Sequence, residues 1–369
     1  MLPAVLLPPF ELDQVPDAPA VFVIEAGAAR PYLGRTARLR RRLNRLLGEA
    51  APASRLLNLR SLATRVEYHL TPSRLSAQIH HYLAARTHYP EDYLKHLRLR
   101  LPPYVKVLLG NPFPRTQVTT RLSASEALHY GPFRTRAAAE RFESELLDLF
   151  QVRRCQEDLE VSPDHPGCIY GEMGRCLRPC QEVVSPDEYH TEVLRLTHFL
   201  ESGGETLLSP IRAARDRLAE ELDFEAAQRQ HLRIQRIEQV LRLPDDLVAI
   251  ADRLSGVAVT PSANAGHVEL RFLLNAAWLP AVDFRIAAES SGAMIPLDRR
   301  LSELTASLVP ARLTVRERAE HLAILARWFY SSWRDGEWLP FATLADVPYR
   351  RLVRAISRVA ASGGQASLF

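Results

Sequence analysis

All four cysteines fall between Cys155 and Cys180, spaced C-x12-C-x7-C-x3-C, and this cluster constrains the fold more than any other feature. Where thiols stay reduced disulfides are disfavoured, so four clustered cysteines are expected to form a tetrathiolate metal site; four unrelated core cysteines are the plainer alternative. Pro166-Gly167, Gly171, Gly174 and Pro179 supply the tight turns a ligand loop needs. Only Cys176-Leu-Arg-Pro-Cys180 is knuckle-like. Structural zinc usually shows two such knuckles, so the spacing leaves zinc and an iron–sulfur cluster both open.

At 369 residues and 47% hydrophobic content the chain is long enough for two or three cores, and its charged fraction of 24% argues for a folded, soluble protein. No apolar run approaches a membrane span. Residues 1–8 are apolar but proline-broken and lack a basic flank, so they do not read as a secretory signal, and a cytoplasmic location is expected. The only lysines are Lys95 and Lys106, and neither lies in a P-loop pattern, which argues against an ATPase.

The net charge of +4 is unevenly spread: residues 30–60 hold nine arginines against one carboxylate, Glu49. Arg35 to Leu47 reads as a helix with Leu39, Leu43 and Leu47 on a buried face. Arg38, Arg42 and Arg45 lie on a neighbouring stripe, with Arg40 and Arg41 between them. Guanidinium groups at this density suit phosphate oxygens, and a solvated arginine-rich face is the bland alternative.

The coarse pattern predicts an α+β chain. Strands at Val21 to Ala26, near Pro31 to Gly34 and near Val66 to Leu70, with helices at Arg35 to Leu47 and Ser73 to Arg86, form a first unit over residues 1–100. Strands at Tyr104 to Leu109 and Thr116 to Arg121 and a helix at Arg136 to Phe150 lead into the cysteines, giving a second unit over 101–200. Glu201 to Pro210 reads as a linker, and 205–243 as a helical hairpin broken at Leu222-Asp223-Phe224. Residues 244–369 form a C-terminal α+β unit with a flexible tail. Its cluster Trp328, Phe329, Tyr330, Trp333, Trp338 and Phe341 reads chiefly as core and alternatively as a platform for unpaired bases.

Several segments together resemble the amino-terminal half of the UvrC family of bacterial excinucleases, in the same order and over about 240 residues, with truncated Cho-type homologues as the nearest length match. Val15 to Leu43 is similar to that family's GIY-YIG nuclease opening, and Tyr130 to Phe133 and Phe150 to Cys155 to the approach to its first cysteine. Gly174 to Cys180 is similar to its cysteine motif, and Arg215 to Val240 to its UVR hairpin. The resemblance implies a small GIY-YIG α/β domain and a cysteine-rich domain in which Cys155, Cys168, Cys176 and Cys180 hold a [4Fe-4S] cluster, zinc being the alternative. It also implies a UVR hairpin whose Leu222, Phe224, Ala226 and Ala227 dock a UvrB-like helicase partner.

The implied activity is a metal-dependent endonuclease of nucleotide excision repair that binds double-stranded DNA and cuts on the 3' side of a lesion. Tyr32 stands in the YIG tyrosine position, Arg42 in the arginine position and Arg35 where lysine is usual, with Arg38, Arg40, Arg41 and Arg45 on the DNA. Other positions depart from the pattern. Phe22 replaces the GIY tyrosine, Leu46 a later tyrosine, Tyr93 an asparagine, and His81 the metal-binding glutamate. Imidazole is a poor magnesium ligand, so a divalent metal at this site is in doubt and the site reads as degenerate. His80, His81 and His88 form a replacement cluster or, more simply, surface histidines on a solvated helix. Two other functions fit the same residues: an inactive adaptor binding DNA and a partner, and a cluster-dependent redox sensor that binds DNA. The terminal Gln365-Ala366-Ser367-Leu368-Phe369 is similar to peptides that bind the DNA sliding clamp through Gln365, Leu368 and Phe369.

Overall fold

The computed structural model describes residues 3–363 except 28, 50–56, 125 and 287–295; Gln365, Leu368 and Phe369 of the expected clamp peptide lie outside the described residues. The fold is mixed α+β. The chain opens with β1 (Ala4–Leu6), β2 (Ala20–Ala26), β3 (Ala29–Thr36), α1 (Leu39–Leu47), β4 (Arg65–Leu70), α2 (Arg74–His88) and α3 (Tyr93–Leu97). Its strands form an antiparallel sheet in the order β1-β4-β2-β3. Because side chains alternate along a strand, β2 sends Phe22 and Ile24 to one face and Val21 and Val23 to the other. All four are buried, since both faces are covered. Leu39, Leu43, Leu46 and Leu47 of α1 pack on the Phe22 face, each burial worth about 1.5–3 kcal/mol. The arginine helix begins only at Leu39, and Arg35 belongs to β3.

Next come β5 (Tyr104–Leu108), β6 (Thr116–Thr119), β7 (Ala127–Gly131), α4 (Arg136–Leu147), α5 (Ile169–Glu172), α6 (Pro186–Glu201), α7 (Glu205–Glu220), α8 (Phe224–Leu241) and β8 (Ala249–Ile250). The second sheet runs β6-β5-β7-β8, so the chain returns after the hairpin to add its last strand. Phe142 and Leu146 of α4, Tyr189 and Phe199 of α6 and Ile234, Ile237 and Val240 of α8 share one core. The hairpin is thus rooted in the second unit, and only its tip stands clear. The expected linker Glu201 to Pro210 shrinks to Ser202-Gly203-Gly204, where both glycines have positive φ; Pro210 lies inside α7.

The last unit contains β9 (Ser255–Pro261), β10 (His267–Leu274), β11 (Ala277–Trp278), β12 (Val282–Arg285), α9 (Leu297–Ala306), α10 (Val315–Phe329), β13 (Glu337–Phe341) and α11 (Tyr349–Gly363). Its sheet is β11-β10-β9-β13, with β12 also paired to β10. One face packs Val257, Leu270 and Phe272 against Leu352 and Ile356 of α11. On the other side Trp278, Trp328 and Trp338 join Leu75, Ile79 and Tyr82 of α2, so the first and last units share a core. Trp328 and Phe341 are buried as well, and the aromatic stretch is largely core. Helix α10 stops at Phe329 rather than Trp333, where the Ser331 hydroxyl donates to the Trp328 carbonyl at 2.7 Å. Among the described residues no helix is long and apolar enough to cross a membrane.

Candidate nucleic-acid interface

The β2–β3 register opposes Ile24 to Tyr32 and Phe22 to Gly34. The Phe22 and Tyr32 rings lie 6.0 Å apart, and a Cβ on Gly34 would stand 2.6 Å from Phe22 Cζ, so glycine is what lets the Phe22 ring lie across β3. Beside them, Arg42 Nη2 of α1 donates to the Tyr32 hydroxyl at 2.7 Å. Accepting from a guanidinium leaves the tyrosine proton free for a water or a phosphate oxygen. Arg42 Nε is buried and has no hydrogen-bond partner among the described residues.

Arg38, Arg40, Arg41 and Arg45 are exposed around this pair. Arg40 Nε donates to the Val15 carbonyl at 2.6 Å, and the Arg41 backbone N–H to Asp17 at 3.2 Å, which fixes the start of the helix. Among the described residues no carboxylate forms an ion pair with Arg38, Arg41 or Arg45, so their field is available to an outside anion.

Strand alternation divides the expected catalytic set. Tyr32 faces α1, whereas Arg35, three residues on and opposite Val21, lies on the sheet face covered by α2. There it meets His81. Burial first, then the charges of Arg35, His96 and Arg327, push the His81 imidazole down to about 4. Neighbouring His80 is pushed down to about 3 by burial, His69 and Arg271, and stacks on His69 with ring centroids 4.4 Å apart. These histidines are half-buried and held neutral, which corrects the expectation of a solvated surface helix. His88 is half-buried on the last turn of the same helix. Two like-charged arginines near His81 make a poor seat for a divalent cation.

The arrangement is braced by contacts that local sequence does not announce. Glu320 of α10 is 2% exposed; its carboxylate accepts from Tyr82 at 2.7 Å, Tyr93 at 2.6 Å and Arg316 at 3.2 Å. Arg86 of α2 donates to Glu317 at 2.7 Å. Glu317, Glu320, Ile324 and Arg327 recur on one side of α10, so the same helix that locks onto α2 carries Arg327 to the Arg35 side of the sheet.

The cysteine loop is organised by Arg153, 1% exposed. Its side chain donates to the carbonyls of Phe113 at 2.9 Å and Glu157 at 3.0 Å and to Cys155 Sγ at 3.3 Å. The Arg178 backbone N–H points at Cys176 Sγ at 3.4 Å. Burial, and then the three other cysteines, push the Cys176 thiol up to about 11, so the four thiols lie in one another's field. The all-sulfur donor set fits a thiolate-bound metal or cluster, and N–H donors to sulfur are the kind that tune one. Among the described residues no three His, Cys, Asp or Glu side chains stand close enough to hold a metal ion, so the loop must tighten to ligate.

At the hairpin tip Leu222 and Phe224 are 71% and 66% exposed. Leu222 takes a left-handed conformation, and Asp223 caps α8 by accepting from the Ala226 N–H at 2.9 Å. Ala226 is half-buried, and Ala227 is buried within the hairpin rather than offered to a partner, a correction to the expected surface.

Residues 103–199, which contain all four cysteines, match the family model of the UvrC/Cho excinuclease middle domain. The chain is similar to UvrABC system protein C of Moorella thermoacetica, with 27% identity over 232 residues, 62% of this chain and 37% of that protein. The same-named protein of Acetivibrio thermocellus is 22% identical over 328 residues, 86% of this chain and 52% of the relative. That of Trichormus variabilis is 24% identical over 329 residues, 85% and 51% respectively. These longer alignments extend past residue 244, further than the sequence resemblance reached. The chain spans about half the length, or less, of the curated relatives it matches. No solved structure matches it.

Proposed function

We propose that this chain, a UvrC/Cho-like protein, binds DNA in nucleotide excision repair, its first unit a GIY-YIG-type scaffold for the incision on the 3' side of a lesion. One observation carries this reading: Arg42 donates to the Tyr32 hydroxyl at 2.7 Å on the helix that also holds Arg41 and Arg45 toward solvent, with Arg38 exposed at its N-cap. Phosphodiester cleavage needs a polarised hydroxyl or water and cations for the developing phosphorane charge, and this group supplies both. The cysteine loop would hold an iron–sulfur cluster or zinc that stiffens the neighbouring unit. The exposed Leu222 and Phe224 would enter an apolar groove on a UvrB-like helicase partner.

A non-cutting adaptor is the second reading. His81 at the metal position faces Arg35 and Arg327, a surrounding that repels a divalent cation. A nicking assay on lesion-bearing duplex with the partner proteins, run in magnesium and in manganese, separates the two. The nuclease reading expects nicking by the native chain and its loss in Arg42→Ala; equal nicking by both would refute it. Duplex binding without nicking in either metal selects the adaptor.

A further inference from the structure

A cavity of about 580 Å³ lies where the end of β3, the first turns of α2 and the last turn of α10 meet, within the size range of roughly 300–1,000 Å³ typical of small-ligand sites. Its charged lining is all cationic: Arg35, Arg74 and Arg327, each from a different element, with no Asp or Glu among the lining residues. The adjacent Asp335 is engaged on both oxygens, by the Arg74 backbone N–H and by Trp328 Nε1 at 3.0 Å. Burial first, and then the charge of Arg327, hold the Arg35 guanidinium below its ordinary value, so the two cations share one field at the cavity.

Two further features point to more than phosphate. The Arg74 guanidinium lies 5.2 Å over the Trp333 ring, a cation plane backed by indole of the kind on which bases stack. Gln78, 8% exposed, also lines the cavity, and its buried Oε1 has no hydrogen-bond partner among the described residues. Turning that amide offers a base edge either a donor or an acceptor.

We propose that this cavity is a nucleotide subsite in which Arg35 and Arg327 take the phosphate, the Arg74–Trp333 pair stacks the base and the Gln78 amide meets its edge. It rests on the nucleic-acid reading above and adds its substrate class, an unpaired nucleotide. Free mononucleotide and a nucleotide within a strand share this chemistry, so both enter the test.

The test uses the full chain and fluorescence anisotropy of labelled octathymidylate at low salt, with an abasic backbone of equal length, thymidine monophosphate and inorganic phosphate as competitors. Trp333→Leu is expected to weaken octathymidylate binding roughly fivefold to a hundredfold, the range for loss of one stacked base. Arg327→Ala, at an exposed position that does not threaten folding, is expected to lower the slope of log affinity against log salt by about 0.7, one phosphate contact on a single strand. Displacement by thymidine monophosphate at matched nucleotide concentration identifies the free nucleotide as ligand; displacement only by strand identifies DNA. The subsite is overturned if the abasic backbone or inorganic phosphate competes as well as octathymidylate, or if Arg327→Ala binds with an unchanged salt slope. A native chain that binds neither octathymidylate nor duplex would instead remove the underlying nucleic-acid reading.

Discussion

The Tyr93 hydroxyl donates to Glu320 Oε1 at 2.6 Å, joining residues 227 apart in the chain. With Tyr82 on the other oxygen at 2.7 Å, a carboxylate buried between the first and last units is satisfied on both sides. A buried charge is tolerated only when fully bonded, so the network is sensitive to single deletions. Tyr93→Phe is expected to cost about 1–2 kcal/mol in urea unfolding, the price of one lost bond to a charged acceptor. Glu320→Ala, which takes the acceptor from the Tyr82 and Tyr93 hydroxyls, leaves Tyr82 only its bond from Arg86 and frees α10, is expected to cost roughly 3–5 kcal/mol. Unchanged midpoints in both would show that the two units do not depend on this contact.

Acid should loosen the same interface through Glu317. The Thr314 N–H, Arg86 and the Thr314 hydroxyl hold its carboxyl down to about 2. A depressed carboxylate contributes stability above its unfolded value near 4.3, and that contribution is lost as pH falls toward 2. Glu317→Ala removes the capping box and the Arg86 pair, and is expected to cost about 1–2 kcal/mol at neutral pH. Urea midpoints of native and variant chains should converge as the pH drops from about 4.5 to about 2. A gap that stays constant across that window would assign the cost to packing instead.

What could be read ahead of the structure was local. Leu39, Leu43 and Leu47 declare the buried face of α1 by spacing alone, and Asp223 declares the start of α8 by its capping chemistry. The division of Tyr32 from Arg35 was hidden because it depends on β3 running through Thr36, and the arginine-rich run reads equally well as helix from Arg35 onward. Glu320 and Arg327 were invisible as site residues: each lies on α10, more than two hundred residues from the Tyr82, Tyr93 or Arg35 it acts on, and nothing in the local pattern carries that. The cysteines stood out at once because their type and proximity are themselves the signal. Cys155 itself is held by Arg153, a buried arginine that composition gives no reason to expect.

Gly34 makes a steric prediction. A methyl group there meets Phe22 Cζ at 2.6 Å and Tyr32 Cε1 at 3.2 Å, so either β3 shifts or the Phe22 ring leaves its place. Gly34→Ala is expected to destabilise by roughly 1–3 kcal/mol, the range for overpacking a core. Where β3 shifts, Tyr32 is carried away from Arg42, and the DNA binding proposed for this pair should weaken with it. Adding Phe22→Leu, which removes the obstructing ring, should restore part of both. A double variant as unstable as the sum of its single changes would mean that the ring is not the obstacle.

The cysteine loop makes the last prediction. Arg153 anchors the irregular segment that carries Cys155 through the Phe113, Cys155 and Glu157 carbonyls and the sulfur itself, and its position is fixed by its own N–H donating to Tyr189 at 3.0 Å. If the four thiols hold a metal, Cys176→Ser should purify with less iron or zinc per chain, because one of four soft ligands has become a hard one. Arg153→Met keeps the side-chain length but removes every donor. It should retain the four thiols yet lose metal on dialysis against a chelator faster than the native chain, since outer donors orient the ligands. Chelation should lower the melting temperature of the native chain, binding energy in such a loop being folding energy. Elemental analysis of anaerobically purified protein supplies the readout. A native chain with neither iron nor zinc, melting identically with and without chelator, would overturn the metal site and leave only Cys176 and Cys180 with a packing role.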